Sequence, residues 1–295
     1  MAGLKTIKRR LVSIKNTRQI TRAMKLVSAA KLNRAQEAVA RSREYSNALN
    51  KVISAILAEM GAGDISHPLM TPREEVKNIK LLVIGGSRGL CGAFNTNINK
   101  AVEGFLKERK GGNYSIDAVL VGRKPAEYFR RMNYKFSKSY EKLPENPNLW
   151  PLQEIAQDLE IDYISGRVDE VYLVYTNFKS VMTQKVKVEK LLPFQLDAAD
   201  LKVANEAEGS GLTIYEPSSE KVFARLIPRL MRMKIQQAAL EEKAGEHASR
   251  MTAMDSATKN AGELREKLQL AHNRLRQSNI TSQLLDVVGG AEALN

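Results

Sequence analysis

LKTIKRRLVSIKNTRQITRAMKLVSAAKLNRAQ, residues 4–36, carries ten Lys/Arg and no acid, and its apolar residues recur in steps of three and four. Leu4, Ile7, Leu11 and Ile14 open a stripe that continues through Ile20, Met24 and Val27. These steps are the coiled-coil period, a narrow apolar seam along an otherwise polar helix. The stripe is interrupted at Thr17–Arg18 and Lys31, then resumes as Ala38, Ser42, Tyr45, Leu49, Val52 and Ile56. Residues 3–59 contain no proline, and no glycine after Gly3. One uninterrupted helix of roughly 85 Å is therefore expected, at about 1.5 Å per residue. Gly61, Gly63 and Pro68 should end it.

The other end of the chain repeats the pattern. After the turn-rich Tyr215–Ser218, apolar periodicity starts at Val222 and runs to about Val288. Its seam reads Ala244, Ala248, Met251, Met254, Thr258, Ala261, Leu264, Leu268, Ala271 and Leu275, with small residues first. Pro228 should kink or offset the opening turns, and Gly245 and Gly262 each weaken the helix by roughly 1 kcal/mol against alanine. A lone helix of this kind is marginal. Two of similar length at opposite ends of one chain suit antiparallel pairing, with Ser28–Leu32 beside Ala244–Ala248.

Between them the pattern changes. Ile79–Ile84, Ala118–Val121 and Val171–Tyr175 are short apolar runs of the kind that form buried parallel strands. Helical stretches follow at Thr96–Lys110, Pro125–Met132 and Leu152–Ile164, while Gln184–Leu192 alternates like an antiparallel edge strand. The expected fold is a long two-helix antiparallel coiled coil from both chain ends, with a small Rossmann-like α/β domain inserted between its halves. The expected boundaries are 1–60, 76–196 and 215–295, with the polar, acidic Ala199–Gly211 as a linker.

Composition narrows the function. Of a net charge of +13, residues 1–60 supply +10 (13 Lys/Arg, 3 Asp/Glu), residues 61–218 balance at zero, and residues 219–295 supply +3. The basic field thus belongs to the first helix and attracts an acidic partner: nucleic acid, an anionic membrane or an acidic protein surface. No apolar run approaches the roughly 18–20 residues that span a bilayer, so no direct membrane span is expected. Cys91 is the only cysteine, which excludes an intramolecular disulfide and fits a reducing compartment.

Catalytic signals are sparse. The loop Gly85-Gly86-Ser87-Arg88-Gly89-Leu90-Cys91-Gly92 joins a strand to a helix, where phosphates often bind. It has neither the Gly-Lys-Ser/Thr of a P-loop nor dinucleotide spacing, so it reads as a tight turn with close helix–strand approach. Cys91 reads as a small packed residue. Glu242 and Glu246 share a helical face but His247 does not join both, so the trio reads as a solvated charge cluster. No catalytic triad, zinc spacing or convergent carboxylate pair stands out, and neither catalytic residues, cofactor nor metal are expected. A basic coiled-coil nucleic-acid-binding protein is the alternative, although the apolar seam requires one face of that basic helix to pack.

Three stretches resemble one family. Residues 7–36 (IKRRLVSIKNTRQITRAMKLVSAAKLNRAQ), 88–95 (RGLCGAFN) and 246–264 (EHASRMTAMDSATKNAGEL), with VVGGAEAL at 287–294, are similar in order and spacing to gamma subunits of F-type ATP synthases. The resemblance implies a central rotor shaft with no catalytic site. It would turn inside a hexamer of alpha and beta subunits, its foot meeting the epsilon subunit and a membrane ring of c subunits, with no nucleic-acid partner. By motif match it places Met24, Arg250, Arg276, Gln277 and Thr281 at coupling positions, and Ile280, Leu284, Leu285, Val287 and Val288 in an apolar tip. The positive field would face acidic loops of beta subunits. A bacterial source, peripheral on the cytoplasmic face of the cell membrane, is expected because the shaft motif begins within a few residues of Met1. Ser87 and Gln283 depart from the family pattern, which has acidic residues at both places.

Overall fold

The computed structural model describes residues 2–60, 67–112, 114–195, 215–216 and 218–292. In chain order the elements are α1 (Ala2–Met60), β1 (Asn78–Ile84), α2 (Phe94–Glu108), β2 (Ser115–Val121), α3 (Arg123–Met132) and β3 (Lys138–Tyr140). A 3-10 turn (Pro147–Leu149), α4 (Leu152–Ile164), β4 (Glu170–Phe178), β5 (Gln184–Leu192) and α5 (Ser219–Glu292) complete them. The chain forms two compact units, Met1–Ala30 with Arg250–Asn295, and Lys31–Ser249. The expected linker at Ala199–Gly211, and Gly61 and Gly63, lie outside the described residues.

The larger unit is built on a five-stranded sheet in the order β3-β2-β1-β4-β5, parallel except for β5. Side chains alternate across a strand, so β1 serves two cores at once. Leu82 and Ile84 point to the face covered by α4 and by the inner parts of α1 and α5, among Ile155, Leu159, Leu49, Ile53, Ile227 and Leu230. Ile79, Leu81 and Val83 point to the face covered by α2 and α3, among Phe94, Ile98, Val102 and Phe129. That double cover is why β1 is a continuous apolar run and not an alternating one.

Pro228 lies inside α5, which is helical on both sides of it. A proline there has no N–H for the carbonyl of Ala224, one turn back. His67 supplies the missing donor. Its Nδ1 accepts the Leu69 N–H at 3.1 Å, which leaves the other ring nitrogen to donate to the Ala224 carbonyl. Burial lowers its pKa and favours the neutral ring this arrangement needs.

In the smaller unit the two long helices run antiparallel. Thr21 meets Thr258 (Oγ1–Oγ1 2.8 Å), Lys25 meets Asp255 (2.6 Å), and a Cβ on Gly3 would lie 3.3 Å from Leu275. The seam differs in phase from the one read in the sequence. It follows Leu4, Ile7, Leu11 and Ile14 as expected, then continues through Arg18, Thr21, Lys25 and Ser28. Ile20 and Val27 are 60% and 56% exposed. Steps of three and four therefore persist where the apolar residues lapse, because the helix keeps its geometry and polar side chains fill the facing positions.

Candidate functional site

In an open parallel sheet a ligand sits beyond the strand C-termini, where neighbouring connections diverge to opposite faces. Here that place is between β1 and β4. The loop above β1 is shaped by packing. The Gly86 N–H donates to Asn95 Oδ1 at 3.2 Å, and the Gly86 carbonyl accepts the Lys124 N–H at 3.0 Å. A Cβ on Gly85 would stand 2.5 Å from Pro125, and one on Gly122 only 2.1 Å from the Gly85 carbonyl oxygen. Cys91 is buried and accepts from Asn95 Nδ2 at 3.1 Å. The tight-turn reading of this loop and the packed reading of Cys91 both hold.

At the end of β4 the backbone donors are already taken. Glu242 Oε2 accepts the Thr176 N–H at 2.8 Å, and Glu241 Oε2 accepts the Phe178 N–H at 3.3 Å. Both carboxylates come from α5, which approaches closely because residue 245 is glycine. A Cβ there would lie 2.9 Å from Phe94 and 3.4 Å from Thr176. Helix α5 thus stands where a nucleotide would lie.

The solvated charge cluster expected at Glu242, Glu246 and His247 is a correction. All three are buried, with Glu241 and Lys243. Burial pushes the Glu242 carboxyl up to about 8, nearby Glu246 adds to the rise, and the Thr176 bonds and Lys243 oppose it. Lys243 pairs with Glu246 at 2.9 Å. Glu145, on the loop after β3, reaches Lys31 of α1 (3.2 Å) and Lys243 (3.5 Å) and His247 (3.1 Å) of α5. Burial works to raise its pKa, but Lys243, Lys31 and His247 outweigh it and hold it at about 2. A cavity of about 470 Å³ opens beside this contact. Among the described residues no group of three His, Cys, Asp or Glu is placed to hold a metal ion.

The motif-matched residues lie in the smaller unit. Met24 is half-buried, next to the Lys25–Asp255 pair, and Arg250 is buried. Arg276, Gln277 and Thr281 are exposed. The pairing of Gly3 with Leu275 puts Arg276 opposite the start of α1, some 30 Å along the axis from Met24 at about 1.5 Å per residue. Met24 and Arg276 are therefore not brought together. Ile280, Leu284, Leu285, Val287 and Val288 are between 49% and 70% exposed. Sequence reading missed a second apolar set on α1, since Val12, Ile20, Leu26 and Val27 face outward among the lysines and arginines.

A family model described as ATP synthase matches residues 3–294. The ATP synthase gamma chain of Bdellovibrio bacteriovorus is 42% identical over 296 residues, covering 100% of this chain and 99% of that one. The ATP synthase gamma chain of Heliobacterium modesticaldum is 44% identical over 298 residues, covering 100% of both chains. Among solved structures, a chain of the Euglena gracilis mitochondrial ATP synthase (OSCP/F1/c-ring, rotational state 3) aligns with a TM-score of 0.65 at 18% identity, covering 99% of this chain and 95% of that one. A chain of the Tetrahymena thermophila mitochondrial ATP synthase central stalk and c-ring gives 0.57 at 24% identity, covering 81% and 99%. The structural likeness shows a shared fold.

Proposed function

This chain belongs to the family of ATP synthase gamma chains, and from that membership we propose that it is the central rotor shaft of an F-type ATP synthase and has no catalytic site of its own. Family membership over the whole chain is the observation that carries the reading. The long antiparallel helices, basic outer face and exposed apolar tip suit a shaft turning inside a ring of other chains. Its partners are the alpha and beta subunits of a catalytic hexamer, an epsilon subunit and a membrane ring of c subunits. Among the described residues no helix is long and apolar enough to cross a membrane. On the rotor reading the chain is held peripherally, through its partners, on the cytoplasmic face of a bacterial membrane.

The shaft acts by differential binding. Its surface is asymmetric, so each angle favours a different conformation of each beta subunit and shifts the nucleotide affinity there. Ion flow through the ring drives the angle one way, and ATP hydrolysis drives it the other. Purification through a tag on this chain from native membranes should bring down alpha, beta, epsilon and ring chains. The isolated chain should bind no ATP at micromolar concentration by calorimetry. Recovery of nucleic acid in place of those chains would overturn the reading.

Met24 tests coupling. A lysine there would add a like charge next to Lys25 and compete with it for Asp255. It must turn outward, toward an acidic group of a surrounding chain, and that added bond favours one rotary angle. Met24→Lys should hydrolyse ATP near the parent rate yet pump fewer ions per ATP in reconstituted vesicles. Met24→Leu, similar in volume, should be nearly silent. Equal pumping by the lysine variant would make Met24 a plain seam residue.

A further inference from the structure

The core shared by the sheet, α4 and the inner parts of α1 and α5 is apolar. Apolar burial holds elements together but is non-directional, so by itself it sets no angle between them. Directional bonds must do that, and several of them meet at one buried carboxylate. Glu241 of α5, 1% exposed, accepts from Arg43 of α1 through Nη2 at 2.9 Å and Nε at 3.3 Å. Its other oxygen accepts from Asn177 Nδ2 at 2.7 Å and from the Phe178 N–H at 3.3 Å, both on β4. Gln237, one turn back on α5, donates to it at 3.1 Å. Arg43 also donates to the Phe178 carbonyl at 2.7 Å. Helix α1, helix α5 and the end of β4 are thereby tied pairwise, each to both of the others.

We propose that the Arg43–Glu241 pair is a torsional lock: a positioning pair that fixes the angle of the two long helices on the α/β sheet and carries rotor torque between them. It rests on the rotor reading above. A guanidinium is planar and rigid, so its bonds resist rotation in a way that a lysine or an apolar contact does not. Burial strengthens the lock further, because Glu241 deprived of Arg43 would be a buried charge short of its cation. Glu145, on the loop after β3, joins that loop to α1 through Lys31 and to α5 through Lys243 and His247. Each tie has one exposed partner, Arg43 in the first and Glu145 in the second, so water screens both.

The test uses the assembled complex, fixed through its alpha–beta hexamer, with a bead on the exposed β4–β5 hairpin. Met182→Cys gives the handle, 88% exposed in the parent, while the native Cys91 is buried. The angular variance of the bead at rest reports torsional stiffness, which ordinary packing contacts would leave unmoved by a charge change alone. Glu241→Gln keeps the size but loses the charge and turns one acceptor oxygen into a donor, so the bonds on that side are lost as well. Charge-assisted bonds are about twice as strong as neutral ones, so the variance should rise by at least about twofold while ATP hydrolysis stays at the parent rate. Arg43→Lys, which keeps the charge and loses the fork, should also broaden it. Unchanged variance in both variants overturns the lock. If either variant fails to assemble, Asn177→Ala removes one arm at a partly exposed position, and absence of any broadening there overturns it equally. A parent chain that joins no alpha or beta chains would sink the rotor reading instead. The lock is then read on the full chain alone, as faster hydrogen exchange at the Phe178 amide in Glu241→Gln, and unchanged exchange counts against it.

Discussion

Glu242→Gln is expected to make the protein more stable at pH 8, and to remove most of the stability it loses between pH 5 and pH 8. Glu242 is fully buried between α5 and β4, and its carboxyl is pushed up to about 8 by that burial. The folded pKa lies above the unfolded one, so over this window the folded chain holds a proton that the unfolded chain has released. Stability then falls as pH rises from the unfolded value through the folded one, and the loss is complete above about pH 8. At 1.36 kcal/mol per unit the cost is roughly 3 kcal/mol near neutrality and more above it. The geometry leaves room for a retained proton. Glu242 Oε1 and Thr176 Oγ1 are buried without partners, and the two side chains lie within bonding reach. The hydroxyl can accept a carboxyl O–H or donate to a carboxylate, so the pair is satisfied in either form and burial decides the protonation. Glutamine offers the same oxygen to the Thr176 N–H and an amide donor to the hydroxyl, at every pH. Chemical denaturation of both chains across pH 5–9 checks this. Parallel stability curves would mean that Glu242 is ionised in the folded protein.

This pair of acids also marks where sequence reading stops. Helix α4 and strand β5 were legible to the residue, because Leu152–Ile164 and Gln184–Leu192 each carry one periodicity bounded by breaks. Strand β3 was not. Lys138–Tyr140 is three residues with no apolar pattern, and its place is fixed by pairing with Val119–Val121. The seam of α1 was followed correctly to Ile14 and again at Met24, Leu49 and Ile56, but misread at Ile20 and Val27, which are apolar yet exposed while Arg18 and Ser28 take the seam. Glu-Glu-Lys at 241–243 reads as solvent-facing in any single helix. What buries it is the end of β4, whose N–H groups need acceptors, and that need exists only once strand and helix meet. Gly245 looked like a weak point of a helix, and it is the point where the helix comes close to Phe94. The residues proposed for coupling were legible only through resemblance, because no periodicity or spacing within this chain sets them apart.

Four of the five glycines around the β1 loop, Gly85, Gly86, Gly89 and Gly122, should differ sharply when each is replaced by alanine, and their order separates a packing loop from a phosphate loop. Gly122 has φ +108° and ψ 149°, a backbone conformation essentially reserved for glycine. A Cβ there would also stand 2.1 Å from a backbone oxygen with no freedom to move. Gly122→Ala should therefore cost more than about 4 kcal/mol and leave little soluble chain. Gly85→Ala meets the Pro125 ring at 2.5 Å, and overpacking of that kind costs about 1–3 kcal/mol as α3 shifts. Gly86→Ala meets only the Asn95 amide oxygen, which can swing away, so the loss is one hydrogen bond, about 1 kcal/mol. Gly89 has open space around its Cβ position and no left-handed φ, so Gly89→Ala should fall within about 0.5 kcal/mol of the parent. A phosphate-binding loop would give a different order, because its central glycine is needed for close approach of the ligand to the backbone and Gly89→Ala would then weaken ATP binding. Denaturant midpoints for the four variants, with calorimetric titration of ATP into the parent and Gly89→Ala, decide between the two. Micromolar ATP binding by the parent that Gly89→Ala abolishes would restore the loop as a nucleotide site.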